Sequence, residues 1–220
     1  MPTSTWFRLD VAKRERVLEV ATREFGENGY STGSLNTIAR EAGIAKGSLF
    51  QYFTDKQEFF AYVCDEASRR VREEMERRMA QVDLDQPFDE WLVDVLFLWT
   101  EYMAEHPLDR AITAATNLEI DNGVRGIVRD TAGRHTLQVV RPALTMWHQG
   151  GGIRADADLD VLAAVILLVL PYLALAPYYD GLDQVFGLCG RTPEEQRPVI
   201  RQLVAGMRPI FAPPEDQRST

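Results

Sequence analysis

Apolar residues recur at three- and four-residue steps along nearly the whole chain, and no stretch alternates apolar and polar as a half-buried strand would. The pattern predicts an all-α protein. A first helix over about Val11–Asn28 carries Val17, Leu18, Ala21 and Phe25 on one stripe, with Gly29 as its stop. Two short helices follow at about Ser34–Ala42 and Ala45–Phe53. A longer one runs from about Lys56 to Gln81, with Phe60, Cys64, Ala67, Val71, Met75 and Met79 on one face. Thr54 and Gln57 are spaced as a capping box at its start. The helix predicted over Phe88–Glu105 is apolar on two sides. Phe88, Trp91, Leu92, Val95, Trp99, Tyr102 and Met103 form one stripe, and Val93, Leu96, Phe97 and Thr100 a second. Only the line Glu90, Asp94, Glu101, Glu105 is polar, which predicts a helix in the middle of a bundle. Helices at about Leu108–Glu119, Gly123–Gln149 (bent near Pro142), Leu159–Tyr179 and Pro193–Phe211 complete the chain. The closing APPEDQRST reads as a frayed tail.

One segment raises the possibility of a membrane. Val161 to Ala176 (VLAAVILLVLPYLALA) is uncharged, but it is shorter than the ~20 residues a bilayer span needs. Pro171 interrupts it, and Asp158, Asp160 and Asp180 flank it without a Lys or Arg at either end. It is read as a helix buried in a core or an interface, with no membrane partner. The start, MPTSTWFRLD, lacks the cationic region and apolar run of a signal peptide, so a cytoplasmic protein is expected. Cys64 and Cys189 form no CxxC pair and are read as reduced and structural.

A net charge of -9 argues at first against a nucleic-acid partner. The distribution of that charge removes the objection. Residues 1–60 balance Arg8, Lys13, Arg14, Arg16, Arg23, Arg40, Lys46 and Lys56 against an equal number of Asp and Glu, so the rest of the chain carries the whole deficit. Screening limits a surface charge's reach to about 8–10 Å at physiological salt, so local charge decides phosphate contact. A neutral head on an acidic body is compatible with DNA.

Within that head, Ser34 to Phe53 (SLNTIAREAGIAKGSLFQYF) has the parts of a helix-turn-helix. Ile38, Ile44 and Leu49 supply a small shared core, and Ala39 lets two helices cross closely. Gly43 fits the positive-φ position where the first helix ends. The second helix then presents Lys46, Gly47, Ser48, Gln51 and Tyr52 outward, donors and small residues suited to a major groove with phosphates on either side.

The longer stretch FGENGYSTGSLNTIAREAGIAKGSLFQYFTDKQEFF resembles the N-terminal signature of the tetracycline-repressor (TetR) family of transcriptional regulators. The likeness covers roughly Val17 to Phe60 and is more specific than a bare helix-turn-helix. It implies a helix-turn-helix domain over residues 8–54 and a larger helical ligand-binding and dimerisation domain over 55–213. Carried over position by position, it implies backbone contacts from Lys46, Ser48, Tyr52 and Lys56. Asn36, Thr37, Gly47 and Gln51 would approach bases or flanking phosphates. Phe50 departs from the family's more usual tyrosine, lacks the hydroxyl for a phosphate, and is assigned to packing. The resemblance also implies a homodimer through Leu159–Tyr179 and Pro193–Phe211, a palindromic double-stranded DNA operator, and a small-molecule effector, with repression the commoner mode. The effector would lie among Trp91, Trp99, Tyr102, Met103, Asn117 and Trp147, aromatic enough to suit a largely apolar or aromatic compound. Plain core packing is the other reading of each of these six.

Chemistry of other kinds finds little support. His106, His135 and His148 have no metal-ligand spacing, no nucleophile or phosphate-binding glycine motif occurs, and Gly150-Gly151-Gly152 reads as a linker. His135 is read as a core histidine, and Glu101 and Glu119 as solvent-facing. No cofactor, no metal and no enzyme activity are expected. A helical protein that sequesters a ligand without touching DNA remains the alternative.

Overall fold

The computed structural model describes residues 2–213. Within them the chain forms α1 (Ser4–Phe7), α2 (Val11–Thr32), α3 (Leu35–Ala42), α4 (Lys46–Tyr52), α5 (Lys56–Met79), α6 (Phe88–Glu105), α7 (Pro107–Leu118), α8 (Asn122–Gln149), α9 (Leu159–Leu175) and α10 (Pro193–Phe211), with no strand among the described residues. The tail read as frayed lies, from residue 214 on, outside them. No described helix is long and apolar enough to cross a membrane.

The contacts divide the chain into two compact units. One is Met1–Val71 with His106–Arg134, and the other is Arg72–Glu105 with His135 onward. These limits fall inside α5 and α8, whereas the functional division expected at residue 54 follows the motif.

The first unit is built on α2. Asp10 caps it by accepting the Lys13 amide, and Val17, Val20, Ala21 and Phe25 form its buried stripe. Helical geometry breaks at Gly29, where φ is 67°, so the expected stop is there although a further turn reaches Thr32. Ser34 caps α3 through the Thr37 amide, and Gly43, at φ 68° and ψ 36°, ends it. The Ile44 amide then bonds the Ala39 carbonyl at 2.9 Å, which turns the chain sharply into α4. Ile38, Leu49, Phe53, Phe59 and Phe60 close the core with Phe25, joined by Ile112 of α7 and Val124 and Val128 of α8. The start of α5 corrects the expected Thr54–Gln57 box. Asp55 accepts the Glu58 amide (2.7 Å), and Glu58 Oε2 accepts from both the amide and the hydroxyl of Thr54. The box has slipped one residue, because the acidic pair offers stronger acceptors than threonine and glutamine.

Periodicity missed α1, whose single turn is too short to show a pattern. Trp6 is fully buried against Tyr52, Phe53 and Tyr62. Ahead of it, the Thr3 amide donates to the Tyr52 carbonyl (2.9 Å) and the Thr3 hydroxyl to the Gln51 carbonyl (2.7 Å). The last turn of α4 would otherwise leave those carbonyls to water.

In the second unit α6 packs along α10 and α9. Phe88, Trp91, Leu92 and Leu96 meet Leu162, Ile166, Leu173, Ile200, Val204 and Phe211 in its core. Part of the acidic line on α6 is paired with α10. Arg201 bonds both oxygens of Glu90 (2.9 and 2.7 Å), and Arg208 and Arg197 engage Asp89 and Asp94. α9 ends at Leu175 rather than Tyr179, because Pro177 lacks the amide proton a further turn needs. Its Val161 and Leu168 remain exposed apolar groups. Cys64 is core, its thiol pushed up to about 12 by burial, but Cys189 is exposed beside Asp180 and supports no core.

Candidate nucleic-acid interface

Seven residues long, α4 buries Leu49 and Tyr52 and leaves Lys46, Gly47, Phe50 and Gln51 on one solvent face, with Ser48 at its edge. On α3, Asn36 and Arg40 are exposed and Thr37 is half-buried. Asn36, Lys46, Gly47 and Gln51 are thus exposed and Ser48 is half-buried, while two other assignments change.

Tyr52 does not point outward. It is 5% exposed, with its ring against Trp6 at 5.6 Å, because α1 covers the side of α4 that the sequence left open. Phe50 is not packed inside. It is 51% exposed, since it stands one helical turn from Lys46 on the side of α4 turned away from buried Tyr52.

That face has a composition the fold does not ask for. A methyl group added at Gly47 would meet nothing within 4 Å, and the backbone there has no positive φ. Glycine is a poor helix former, and here no internal contact calls for it. A half-exposed phenylalanine beside it is likewise unexplained by packing. Both suit close approach of an outside surface, the glycine by removing bulk and the ring by offering an apolar contact.

Lys56 lies elsewhere. Its ammonium sits 4.8 Å from the centre of the Tyr30 ring and donates to the Ser31 carbonyl at 3.3 Å. Burial lowers its pKa, opposed by the charges of Glu119 and Glu24. It helps hold the turn ahead of α3.

The six residues expected around an effector are not gathered together. Asn117 belongs to the first unit, where its amide donates to the Thr113 carbonyl of its own helix. Trp99 donates to the Leu170 carbonyl at 2.8 Å, and Tyr102 and Met103 are wholly buried. Trp91 and Trp147 do meet, with ring centres 5.5 Å apart, in a cluster with Phe88 and Phe211. Neither indole N–H of that pair has a hydrogen-bond partner. Beside them lies a cavity of about 610 Å³ lined by Phe88, Trp147, Gly150, Arg208 and Phe211.

Glu119 and Glu101 correct the expectation of solvent-facing carboxylates: Glu119 is 5% exposed and Glu101 half-buried. Burial and the nearby Glu105 and Glu194 raise the Glu101 carboxyl. No group of His, Cys, Asp or Glu among the described residues is arranged to hold a metal.

Residues 17–63 match the family described as "Bacterial regulatory proteins, tetR family". The chain is similar to the uncharacterized HTH-type transcriptional regulator YhgD of Bacillus subtilis (strain 168), at 26% identity over 204 residues, 92% of this chain and 96% of that one. It is also similar to the probable acrEF/envCD operon repressor of Escherichia coli (strain K12), at 25% identity over 157 residues, 70% of each. Among solved structures, the transcriptional regulator FadR from Bacillus subtilis in complex with stearoyl-CoA superposes with a TM-score of 0.65, covering 86% of this chain and 96% of that chain. At 18% identity that last likeness concerns the fold.

Proposed function

We propose that this chain is a DNA-binding transcriptional regulator of the TetR type, a reading supported by the match over residues 17–63 and by the regulators it resembles. Residues 8–54 form the reading head, with α4 in the major groove. Lys46 and Ser48 contact the phosphate backbone, while Asn36, Thr37 and Gln51 approach base edges or flanking phosphates. Gly47 allows the close approach, and the Phe50 ring meets a thymine methyl or a sugar face. Tyr52 and Lys56 serve the head from inside. The observation that carries this reading is the solvent face of α4, where an uncompensated glycine and an exposed aromatic ring flank Lys46 and Gln51.

Residues 55–213 supply dimerisation and ligand sensing. Two copies pair through α9 and α10 and so set two heads on a palindromic operator in the cytoplasm. A small, largely apolar or aromatic effector shifts the dimer away from DNA by binding one head spacing better than the other, and the regulator acts as a repressor. The aromatic cluster around Trp91 and Trp147 supports the effector reading. The cavity beside it, bordered by Trp147, Phe88 and Phe211, falls in the usual size range for ligand pockets. The relatives compared above are regulators, and the proposed mechanism requires no catalytic step.

Repeated enrichment of random-sequence duplexes on the purified, ligand-stripped protein tests the proposal. Enriched duplexes should share an inverted repeat whose half-sites lie one helical turn or more apart. No enrichment over a scrambled pool would point instead to a protein that sequesters an apolar compound.

A further inference from the structure

Glu119 follows α7 and is almost fully buried. A carboxylate persists in such a place only when its oxygens are bonded. Oε1 accepts the amides of Ile120 (2.9 Å) and Asp121 (3.0 Å) in its own turn, and the Ser31 hydroxyl (2.8 Å) across from it. Oε2 accepts the Tyr30 amide at 2.9 Å. Burial alone would raise this carboxyl. The bonds from Asp121, Ser31, Tyr30 and Ile120 outweigh burial and hold it below the ordinary range.

Tyr30 and Ser31 lie between two decisive points of the backbone. They follow Gly29, where the helical geometry of α2 breaks, and precede Ser34, the cap of α3. Three charged side chains from three elements converge on this turn. Glu24 of α2 accepts the Ser34 amide (2.7 Å), Lys56 of α5 donates to the Ser31 carbonyl, and Glu119 takes the Tyr30 amide and the Ser31 hydroxyl. Glu24 and Lys56 lie within the motif, whereas Glu119 comes from the turn between α7 and α8.

We infer that Glu119 is a positioning residue for DNA reading: from the α7–α8 turn it fixes where α3 begins and, through the Gly43 turn, how α4 is presented. The inference rests on the DNA-reading role proposed above. Stability alone does not distinguish Glu119 from other buried acids. What sets it apart is that its bonds divide between its own turn and the turn that launches α3.

The division allows a cut on one side only. In Glu119→Gln the amide oxygen keeps the three bonds of Oε1, while the NH₂ takes the place of Oε2 and faces the Tyr30 N–H, donor against donor. Ser31→Ala removes the other bridge at an exposed position. Affinity is measured for a duplex enriched by the wild type and for a scrambled duplex of equal composition, with urea unfolding alongside. Each variant should weaken binding to the enriched duplex by about three- to tenfold, leave the scrambled duplex unchanged, and speed amide exchange over residues 34–37. Equal weakening on both duplexes, or unchanged binding, means a merely structural role and overturns the inference. Should Glu119→Gln not fold, Ser31→Ala carries the same comparison alone. A wild type that enriches no duplex overturns the function proposal and this inference with it; a wild type that enriches one while the variants keep its specificity overturns this inference alone.

Discussion

Leu168→Arg is expected to abolish tight operator binding while leaving the isolated subunit folded. Leu168 is 70% exposed on α9, in line with exposed Val161 and Ala164, so an arginine there meets no core. A surface change of this kind alters subunit stability by about 0.5 kcal/mol or less. In the proposed dimer the same position is covered by the twin helix, where an unpaired charge costs several kcal/mol. α10 offers a matching surface, with Pro198, Gln202, Ala205, Gly206 and Pro209 exposed and an added methyl at Gly206 meeting nothing within the chain. Once the dimer is lost, each head binds its half-site alone and the gain from linkage disappears. Affinity for a duplex with both half-sites should fall by about a hundredfold or more. Sedimentation should report a monomer with unchanged helical signal. A dimer of wild-type affinity would show that α9 is not the pairing surface.

Trp6→Ala is expected to destabilise the reading head by about 3–5 kcal/mol, the usual loss for a fully buried tryptophan. That is a large share of the 5–15 kcal/mol that holds an ordinary domain together. The ring supports Tyr52, Phe53 and Tyr62 at 5.6, 5.1 and 5.8 Å, so its removal empties the space beneath the last turn of α4. The loss should appear as a lower urea midpoint and as weaker DNA binding even at temperatures where the variant remains folded. Thr3→Val, which removes the hydroxyl bond to Gln51 and little packing, should show a small fraction of both effects. A change below about 1 kcal/mol for Trp6→Ala would mean that α1 does not support α4.

Much of this fold is legible in the residues themselves. Helices α6 and α10 begin and end where their apolar periodicity predicts, because each is long and bounded by unambiguous breakers. Gly43 and Ser34 announce the turn and the cap through chemistry that few other residues supply. Most of the failures share a physical cause, in that they depend on a contact distant in sequence. Tyr52 looks outward until α1 covers it, and a four-residue helix has no period to read. Glu119 resembles any exposed acid, and its partners on the turn before α3 lie 88 and 89 residues away. The acidic line on α6 cannot announce its arginines on α10, over a hundred residues on. Phe50 differs. Its apolar ring suggests packing, although its register one turn after Lys46 already points it outward. The sensing residues are the least legible, since aromatic stripes line cores and pockets alike.

Whether the solvent face of α4 reads DNA is decided by salt-titrated fluorescence anisotropy. Wild type, Lys46→Ala and Gln51→Ala would be compared on an enriched duplex and on a scrambled one. Wild-type binding should prefer the enriched duplex and fall steeply with salt. Lys46→Ala should weaken both duplexes similarly and reduce the salt slope by about 1, whereas Gln51→Ala should cost about 1–3 kcal/mol on the enriched duplex alone. Binding that is weak, equal on both duplexes and insensitive to salt and to either substitution would contradict a DNA-reading role for this face.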